Sequence, residues 1–248
     1  MTDAPDTRQA ADDPAWVDYQ TRFAEVYDEL NYDRSLQGWA MRASHRLAEQ
    51  GIDASQTWAR VLEVGAGSGE HAASVRHGFG HYTLLDANPR ALAVARRRLG
   101  HDARFDFVAG DAARLDWPDG HFDRLIATHV LEHIPQPHRV LREWCRVVRD
   151  GGLLTVLIPT DPGIAWRLGR RLGPRRNALR RGIAYDYVMA REHVNACHNL
   201  LALIRHQLAE RREAWWPLPV PAIDLNLFFA VQAVVRHPAG AGHADAGT

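Results

Sequence analysis

The chain contains no lysine and only two cysteines in its 248 residues, and both scarcities restrict its chemistry. Its 30 arginines are balanced by 30 acidic residues, so the formal net charge is zero. The overall charge therefore predicts neither a nucleic-acid partner nor a membrane partner. Two cysteines, Cys145 and Cys197, are too few for a disulfide framework or a cysteine-based structural zinc site, which favours a reducing compartment. We expect both to be thiols in the core.

Long apolar runs are also lacking. No segment reaches the roughly 18 unbroken apolar residues that a membrane helix needs. The first residues, MTDAPDTRQAADDP, are acidic and precede no apolar stretch, unlike a signal peptide. We therefore expect a soluble, cytoplasmic protein without a transmembrane segment.

From about Arg60 onward, short apolar runs alternate with amphipathic stretches. The pattern predicts strands at 60–64, 81–85, 104–108, 122–127 and 153–158, and helices at 70–77, 89–98, 136–149 and about 191–211. Strands that alternate with helices are joined by crossovers and lie parallel. The runs REAWWPLP and LNLFFAVQAVVR predict a closing hairpin. The expected fold class is α/β: a Rossmann-like, doubly wound, seven-stranded and mostly parallel sheet, with an antiparallel C-terminal hairpin and N-terminal helices that cover the site.

Three regions follow from this pattern. Residues 1–58 are expected to form an N-terminal helical cap, because apolar residues recur at helical intervals from about Ala15 to Gln50. Residues 59–237 form the core, with an arginine-rich insertion at 160–199. Residues 238–248, rich in glycine and alanine, are expected to be a flexible tail.

The stretch VLEVGAGSGEH, residues 61–71, places three glycines directly after the first predicted strand. A glycine-rich turn between a strand and a helix lets the backbone approach a nucleotide-like cofactor. A dinucleotide turn needs the spacing G-x-G-x-x-G, but Glu70 stands where the last glycine belongs. Its carboxylate would also repel a pyrophosphate, so a neutral or cationic ligand fits the turn better.

Acidic residues follow or end the first three predicted strands. Glu63 precedes the glycines, Asp86 ends the second strand, and Asp111 follows the third. The carboxyl ends of parallel strands meet at one edge of the sheet, so these carboxylates are expected to converge on one crevice. A carboxylate at Asp86 can accept hydrogen bonds from both ribose hydroxyls.

Four motifs in this order resemble the class I S-adenosylmethionine-dependent methyltransferases, especially the group that contains the ubiquinone and menaquinone enzymes. They are LEVGAGSGEH, LLDANPRAL, AGDAARLDWPDGHFDRLIATHVLEHI and LREWCRVVRDGGLLTVLIP, and they span roughly residues 58–160. The resemblance implies that S-adenosylmethionine is the cofactor and S-adenosylhomocysteine the product. The residues it assigns to the cofactor are Glu63, Gly65, Ala66, Gly67 and Gly69 for the methionine part, Asp86 and Ala87 for the ribose, Asp111 and Ala112 for the adenine, and Thr128 and His129 beside the sulfonium.

The acceptor site is expected to lie in the N-terminal helices and in the insertion. Methyl transfer from a sulfonium is an in-line displacement that requires alignment and no metal, so we expect no metal site. A hydroxyl or ammonium acceptor must lose a proton, which a general base can remove. The candidate bases are His193, then Tyr187 and His133. The candidate acceptor-binding residues are Tyr27, Tyr32, Arg170, Arg171 and Asn195.

The arginine run at 167–181 leaves two interpretations open, a solvated surface or a clamp for phosphate or carboxylate. The leading hypothesis is a methyltransferase for a small-molecule or glycan-type acceptor that bears such an anionic group. One alternative is an RNA methyltransferase that uses the run as a phosphate track, although the chain has no recognisable RNA-binding module. The other is a relative that binds the cofactor without catalysis. A monomer or a homodimer is expected.

Overall fold

The structure, a computed structural model, describes residues 36–237 together with Asp13, Pro14, Trp16 and Tyr19. Its helices are α1 (Leu36–Ala48), α2 (Pro89–Leu99), α3 (Pro137–Val147), α4 (Ile164–Leu172), α5 (Pro174–Arg180), α6 (Tyr185–Glu192) and α7 (Cys197–Gln207). Its strands are β1 (Thr57–Val64), β2 (Gly78–Asp86), β3 (Phe105–Ala109), β4 (Phe122–Thr128), β5 (Val148–Pro159), β6 (Arg211–Trp216) and β7 (Phe228–Val234). The predicted acceptor residues Tyr27 and Tyr32 and the predicted tail at 238–248 lie outside the described residues, and the division into cap, core and tail stays a prediction.

The seven strands form one sheet in the order β3-β2-β1-β4-β5-β7-β6. Strands β1 to β5 pair in parallel, whereas β7 runs antiparallel to both β5 and β6. Strand β1 lies in the interior of the sheet, and β2 and β3 extend the sheet to one edge. Strand β4 then pairs with β1 on its other side. This order confirms the predicted doubly wound sheet with its C-terminal hairpin, and it puts the ends of β1 and β4 side by side at the switch point where such sheets bind ligands.

Alternate residues along the strands fill two different layers. On one face, Leu62 and Leu125 pack in a cluster with α3 and α7, including Trp144. On the other face, Val61 and Ile126 pack against α2. Cys197 is fully buried in the first layer and Cys145 packs against it, as expected for core thiols. Both faces of the sheet are therefore covered, as parallel strands require.

Two predicted helices are wrong in detail. The helix predicted at 70–77 is a short 3₁₀ turn at His71–Ser74, because Gly78 already begins β2 by pairing with Thr57. The helix predicted from about 191 to 211 is interrupted between α6 and α7. There the backbone N–H of Asn195 donates to the carbonyl of Glu132 and not to a carbonyl of the preceding helical turn, so the helix does not continue.

The arginine-rich insertion also contains helices that its sequence period did not indicate, namely α4, α5 and α6. Within the described part of the chain, no helix has the length and apolar character that crossing a bilayer would require.

Candidate active site

The glycine turn after β1 holds its backbone in a conformation that favours glycine. Gly65, Gly67 and Gly69 have φ values of 65°, 53° and 77°. A Cβ atom at Gly65 would clash with a methyl group of Val130, so this glycine allows the turn to pack on the segment after β4. A Cβ atom at Gly67 would meet nothing within 4 Å. Gly67 therefore presents open backbone to the space in which a ligand would lie.

Asp86 joins the end of β2 to this turn. Its two carboxylate oxygens accept the amide of Gly67 at 2.7 Å and the amide of Asn88 at 2.7 Å. Burial raises the pKa of this carboxyl, and the two amides partly offset the rise. Each carboxylate oxygen has a further lone pair, so Asp86 can hold the turn and still accept from ligand hydroxyls.

Glu63 lies at the bottom of the same cleft. Its carboxyl is buried and accepts the hydroxyl of Tyr82 at 2.7 Å, and burial raises its pKa. The residues that line this cleft lie at the ends of β1 and β4, in the segments that follow these strands, and on α1. They are His45, Glu63, Gly65, Ala66, Gly67, Ser68, Glu70, His71, Thr128 and His129. Six of the predicted cofactor residues therefore lie together here.

Glu70 does not project a free negative charge, since it pairs with Arg98 of α2. On the far side, Asp111 follows β3 and accepts the amide of Ala113 at 2.8 Å. The carbonyl of the neighbouring Ala112 accepts the indole N–H of Trp144 at 2.9 Å. Strand β3 pairs in parallel with β2, which brings Asp111 and the exposed Ala87 to the same edge of the sheet as Asp86.

Helix α1 contributes a buried polar chain that the sequence analysis missed. His45 Nδ1 lies 3.1 Å from His71 Nδ1, and His71 Nε2 lies 3.0 Å from the Glu49 carboxylate. Glu49 also accepts from the buried guanidinium of Arg124 on β4 at 3.0 Å. Burial, together with repulsion from His71 and His129, lowers the pKa of His45 well below its ordinary value. Glu49 directly follows α1, one turn after His45, and His71 ends the motif VLEVGAGSGEH; these spacings were the available signals.

His129 has a backbone conformation that is rare outside glycine, with φ at 58°. Its Nε2 lies 3.1 Å from the hydroxyl of Ser44, and its ring packs edge-on against Phe228 with centroids 5.4 Å apart. Thr128 is buried beside it at the end of β4. His129 lines the cleft next to the glycine turn.

Two other predicted residues, His133 and His193, lie against each other, with ring centroids 5.0 Å apart. His133 Nδ1 donates to the carbonyl of Glu192 at 2.9 Å, and His193 Nδ1 lies 2.9 Å from a carboxylate oxygen of Asp161. Burial lowers the pKa of His133, but the hydrogen bond to Glu192 and the charge of Glu132 outweigh it and raise the pKa to about 9.

The remaining predicted residues lie in other contacts. The hydroxyl of Tyr187 accepts from Arg191 at 2.9 Å. The side-chain amide of Asn195 donates to the carbonyls of Leu131 and Ile134 at 3.0 and 2.6 Å, and so links the insertion to the segment after β4. Arg170 lies 3.4 Å from Asp161 and Arg171 is exposed. Their roles toward an acceptor stay predictions.

A family model described as "Methyltransferase domain" matches residues 62–156. The ubiquinone/menaquinone biosynthesis C-methyltransferase UbiE of Methylobacterium nodulans is 40% identical over 98 residues, which cover 38% of this chain and 39% of the relative. UbiE of Pseudomonas fluorescens is 35% identical over 145 residues, or 56% of each chain. This chain thus spans about half the length of the curated relatives that it matches.

Solved structures show the same fold. The N-methyltransferase NodS of Bradyrhizobium japonicum in complex with S-adenosylhomocysteine has a TM-score of 0.60 at 16% identity, covering 91% of this chain and 100% of that one. Phosphoethanolamine N-methyltransferase 2 of Haemonchus contortus with S-adenosylmethionine has a TM-score of 0.61 at 16% identity, covering 93% and 60%. Both of these neighbours contain the methyl donor S-adenosylmethionine or its demethylated product S-adenosylhomocysteine. Residues 62–156 thus match a methyltransferase domain, and this part of the chain is similar to methyltransferases of the ubiquinone/menaquinone type.

Proposed function

We propose that the chain transfers the methyl group of S-adenosylmethionine to a small-molecule acceptor. One observation carries the proposal: the carboxylate of Asp86 accepts the amide of Gly67, in a turn whose Gly67 faces open space. This gives the cofactor a backbone surface and a carboxylate within one turn. When bound, the cofactor supplies an electrophilic methyl group on a positively charged sulfur.

The residues at the strand ends would bind and orient this cofactor. Asp86 would accept from the ribose hydroxyls, and the backbone of Gly65 to Gly69 would lie against the methionine part. Asp111 would accept from the adenine amine. Thr128 and His129, at the end of β4, would lie beside the sulfonium. Glu63 would add negative potential beneath it when ionised, and burial raises the pKa of its carboxyl.

The acceptor side is lined by aromatic rings, which favours a flat acceptor. Trp166 lies 5.7 Å from Phe228 and 6.3 Å from the ring of His193, between ring centroids. Phe228 in turn contacts His129. Together with relatives named as quinone-biosynthesis C-methyltransferases, these rings support an aromatic acceptor with ring oxygens over a saccharide.

An anionic group on the acceptor would be met by Arg170 and Arg171. Arg170 is already engaged with Asp161 and lies over the ring of Tyr185, whose centroid is 5.2 Å from the guanidinium carbon. An anionic group bound at this position would therefore share the guanidinium of Arg170 with the carboxylate of Asp161. The same arginines would serve the alternative RNA acceptor, which the experiment below includes.

The test uses S-adenosylmethionine carrying a trideuterated methyl group and a set of acceptors: hydroquinones, catechols, a sugar phosphate and bulk tRNA. Mass spectrometry would follow the transfer of one labelled methyl group. We expect transfer to a ring-hydroxylated aromatic. Transfer to tRNA alone would contradict the proposed acceptor class, and absence of binding of S-adenosylhomocysteine would contradict the cofactor assignment itself.

A further inference from the structure

We propose that Glu132, His133 and His193 bind one divalent transition-metal ion at the acceptor side of the cleft. Each residue offers a ligand atom, and these atoms lie within 4.8 Å of one another. Ligands of one ion, each about 2.0–2.2 Å from it, lie roughly 3–3.5 Å apart. Small rotations of the side chains would close that difference, since His133 Nε2 and Glu132 Oε1 are already 3.8 Å apart.

An unpartnered oxygen inside the protein gives the second, independent observation. Glu132 is only 2% exposed, and its Oε2 has no hydrogen-bond partner among the described residues. Its other oxygen lies 3.7 Å from His129 and 3.8 Å from His133. Burying a carboxylate oxygen without a hydrogen-bond partner is unfavourable, and more so when the group is charged. A cation would satisfy it.

The two histidines are oriented for ligation. His133 donates its Nδ1 hydrogen to the carbonyl of Glu192 at 2.9 Å, and His193 donates its Nδ1 hydrogen to Asp161 at 2.9 Å. Metal binding releases the second proton of a charged imidazole, and a donor at Nδ1 then leaves the lone pair at Nε2 for the ion. Metal-binding histidines are held in this way, by a carbonyl or carboxylate on the nitrogen opposite the metal.

The local charges favour a dication. Three carboxylates surround the two histidines: Glu132, Glu192, whose oxygen is 3.2 Å from His133, and Asp161. Among the described residues, Arg170 is the guanidinium that pairs with one of them, at 3.4 Å from Asp161. A doubly charged ion would balance the remaining negative charge.

The ligand set indicates the class of ion. Two imidazoles and one carboxylate, with coordination positions left open, suit Zn²⁺, Fe²⁺, Mn²⁺ or Co²⁺. Magnesium and calcium prefer oxygen ligands throughout and are not expected to bind tightly. This expectation replaces the earlier one that the protein has no metal site, which was based on the chemistry of methyl transfer alone.

The role of the ion rests on the proposed function. The carboxylate of Glu132 lies near both His133 and His129, and His129 lines the cofactor cleft. An ion held by Glu132, His133 and His193 would therefore lie next to this cleft. Its open positions would take one oxygen of the acceptor, or two neighbouring oxygens. A bound hydroxyl would release its proton to water and keep the electron pair as an oxyanion, which is the better nucleophile for the methyl group.

The experiment titrates cobalt(II) chloride into tag-free, chelator-treated protein and follows the visible absorption of the ion. We expect one equivalent to bind. His193→Ala removes a ligand and should weaken cobalt binding by about 100-fold or more. Asp161→Asn removes the charge that orients His193 and should weaken binding about 10–100-fold. The matched control is His206→Ala, a change at an exposed histidine in the last turn of α7, and its affinity should equal that of the parent chain.

Thermal unfolding of each variant, with and without cobalt, checks that the chains fold. Cobalt should raise the unfolding temperature of the parent chain and of His206→Ala and leave His193→Ala unchanged. Absence of one-to-one binding in the parent chain, or equal binding by His193→Ala, would overturn the metal site. Binding of S-adenosylhomocysteine is measured on the same metal-free protein: if it binds while cobalt does not, the proposed function stands and only the metal site fails.

Discussion

The strand ends hold their polar groups with backbone amides, whereas the segment at 160–199 holds its polar groups with other side chains. Asp86 accepts two backbone N–H groups, from Gly67 and Asn88. In the insertion, Asp161 is held by His193 and Arg170. Backbone contacts depend on a few glycines in one motif, but side-chain pairs depend on residues far apart in the chain. The proposed cofactor side thus depends on local sequence, and the proposed acceptor side does not.

The largest effect is expected at the cofactor side. Asp86→Ala would remove two charge-assisted hydrogen bonds to ribose, each worth about 1.5–3 kcal/mol, so affinity for S-adenosylhomocysteine should fall roughly 10²–10⁴-fold. Calorimetric titration measures it. The control is Asp116→Ala, since the side chain of Asp116 is 92% exposed and pairs only loosely with Arg114. If Asp86→Ala kept the parent affinity, the ribose assignment would be wrong.

The anchor of α1 to the sheet gives the next effect, on stability. Glu49→Gln would leave the buried guanidinium of Arg124 without its charged partner, and breaking a buried pair in this way costs about 3–5 kcal/mol. Glu210→Gln breaks the exposed pair with Arg236 and should cost about 1 kcal/mol or less. Urea unfolding of both variants measures the difference, and equal costs would contradict a structural role for the buried pair.

Glu49 also sets the direction of a pH dependence. Burial raises its pKa, but His71 and Arg124 outweigh burial and lower the pKa from 4.5 to about 2. A carboxyl with a lowered folded pKa stabilises the protein above the unfolded pKa, and this contribution is lost as the pH falls from about 4.5 through about 2. The free energy of unfolding of Glu49→Gln should decline less over that window. A parallel decline in both chains would show that other groups dominate acid unfolding.

Two glycines with the same backbone but different neighbours sharpen the comparison of the two regions. Gly67 and Gly182 have φ values of 53° and 74°, and a Cβ atom would meet nothing within 4 Å at either. Gly67→Ala and Gly182→Ala should each destabilise the fold by about 1–2 kcal/mol through strain. Only Gly67→Ala should weaken cofactor binding, because its methyl group enters the ligand space. Equal losses of cofactor affinity would break the assignment of the turn.

The smallest effect is expected in the arginine run. Arg171→Ala should raise the acceptor KM through the loss of an exposed charge worth about 1 kcal/mol or less, and salt should reduce the difference. Cofactor affinity should not change. Arg176→Ala, on α5, is the comparison: a clamp at Arg170 and Arg171 predicts no effect there, whereas a phosphate track for RNA predicts similar losses at both positions.

The sheet and the cofactor turn could be predicted because each rests on a local pattern. The alternation of strands and helices gave the order of elements, and the spacing of Gly65, Gly67 and Gly69 gave the turn. The end of the following helix could not be predicted in the same way. Pairing between Gly78 and Thr57 shortens it, and such pairing depends on residues distant in sequence.

For the proposed acceptor side, the sequence indicated only a set of residue types. His133 and His193 were both named, but their contact depends on the break between α6 and α7. That break follows from hydrogen bonds between Asn195 and the segment after β4, which no helical period reveals. His45 and Glu49 were missed because a polar residue on an amphipathic helix is ordinarily solvated, and only packing on Arg124 makes them part of a buried chain.

Titration of the parent chain with S-adenosylhomocysteine in a calorimeter tests the central claim, that the turn at Gly65 to Gly69 and Asp86 hold this cofactor. The same protein is titrated with NAD, because Glu70 occupies the position where a dinucleotide turn requires glycine. We predict saturable one-to-one binding of S-adenosylhomocysteine and no measurable binding of NAD. Saturable binding of NAD, or no heat with S-adenosylhomocysteine for a chain whose unfolding transition shows that it is folded, would contradict the account.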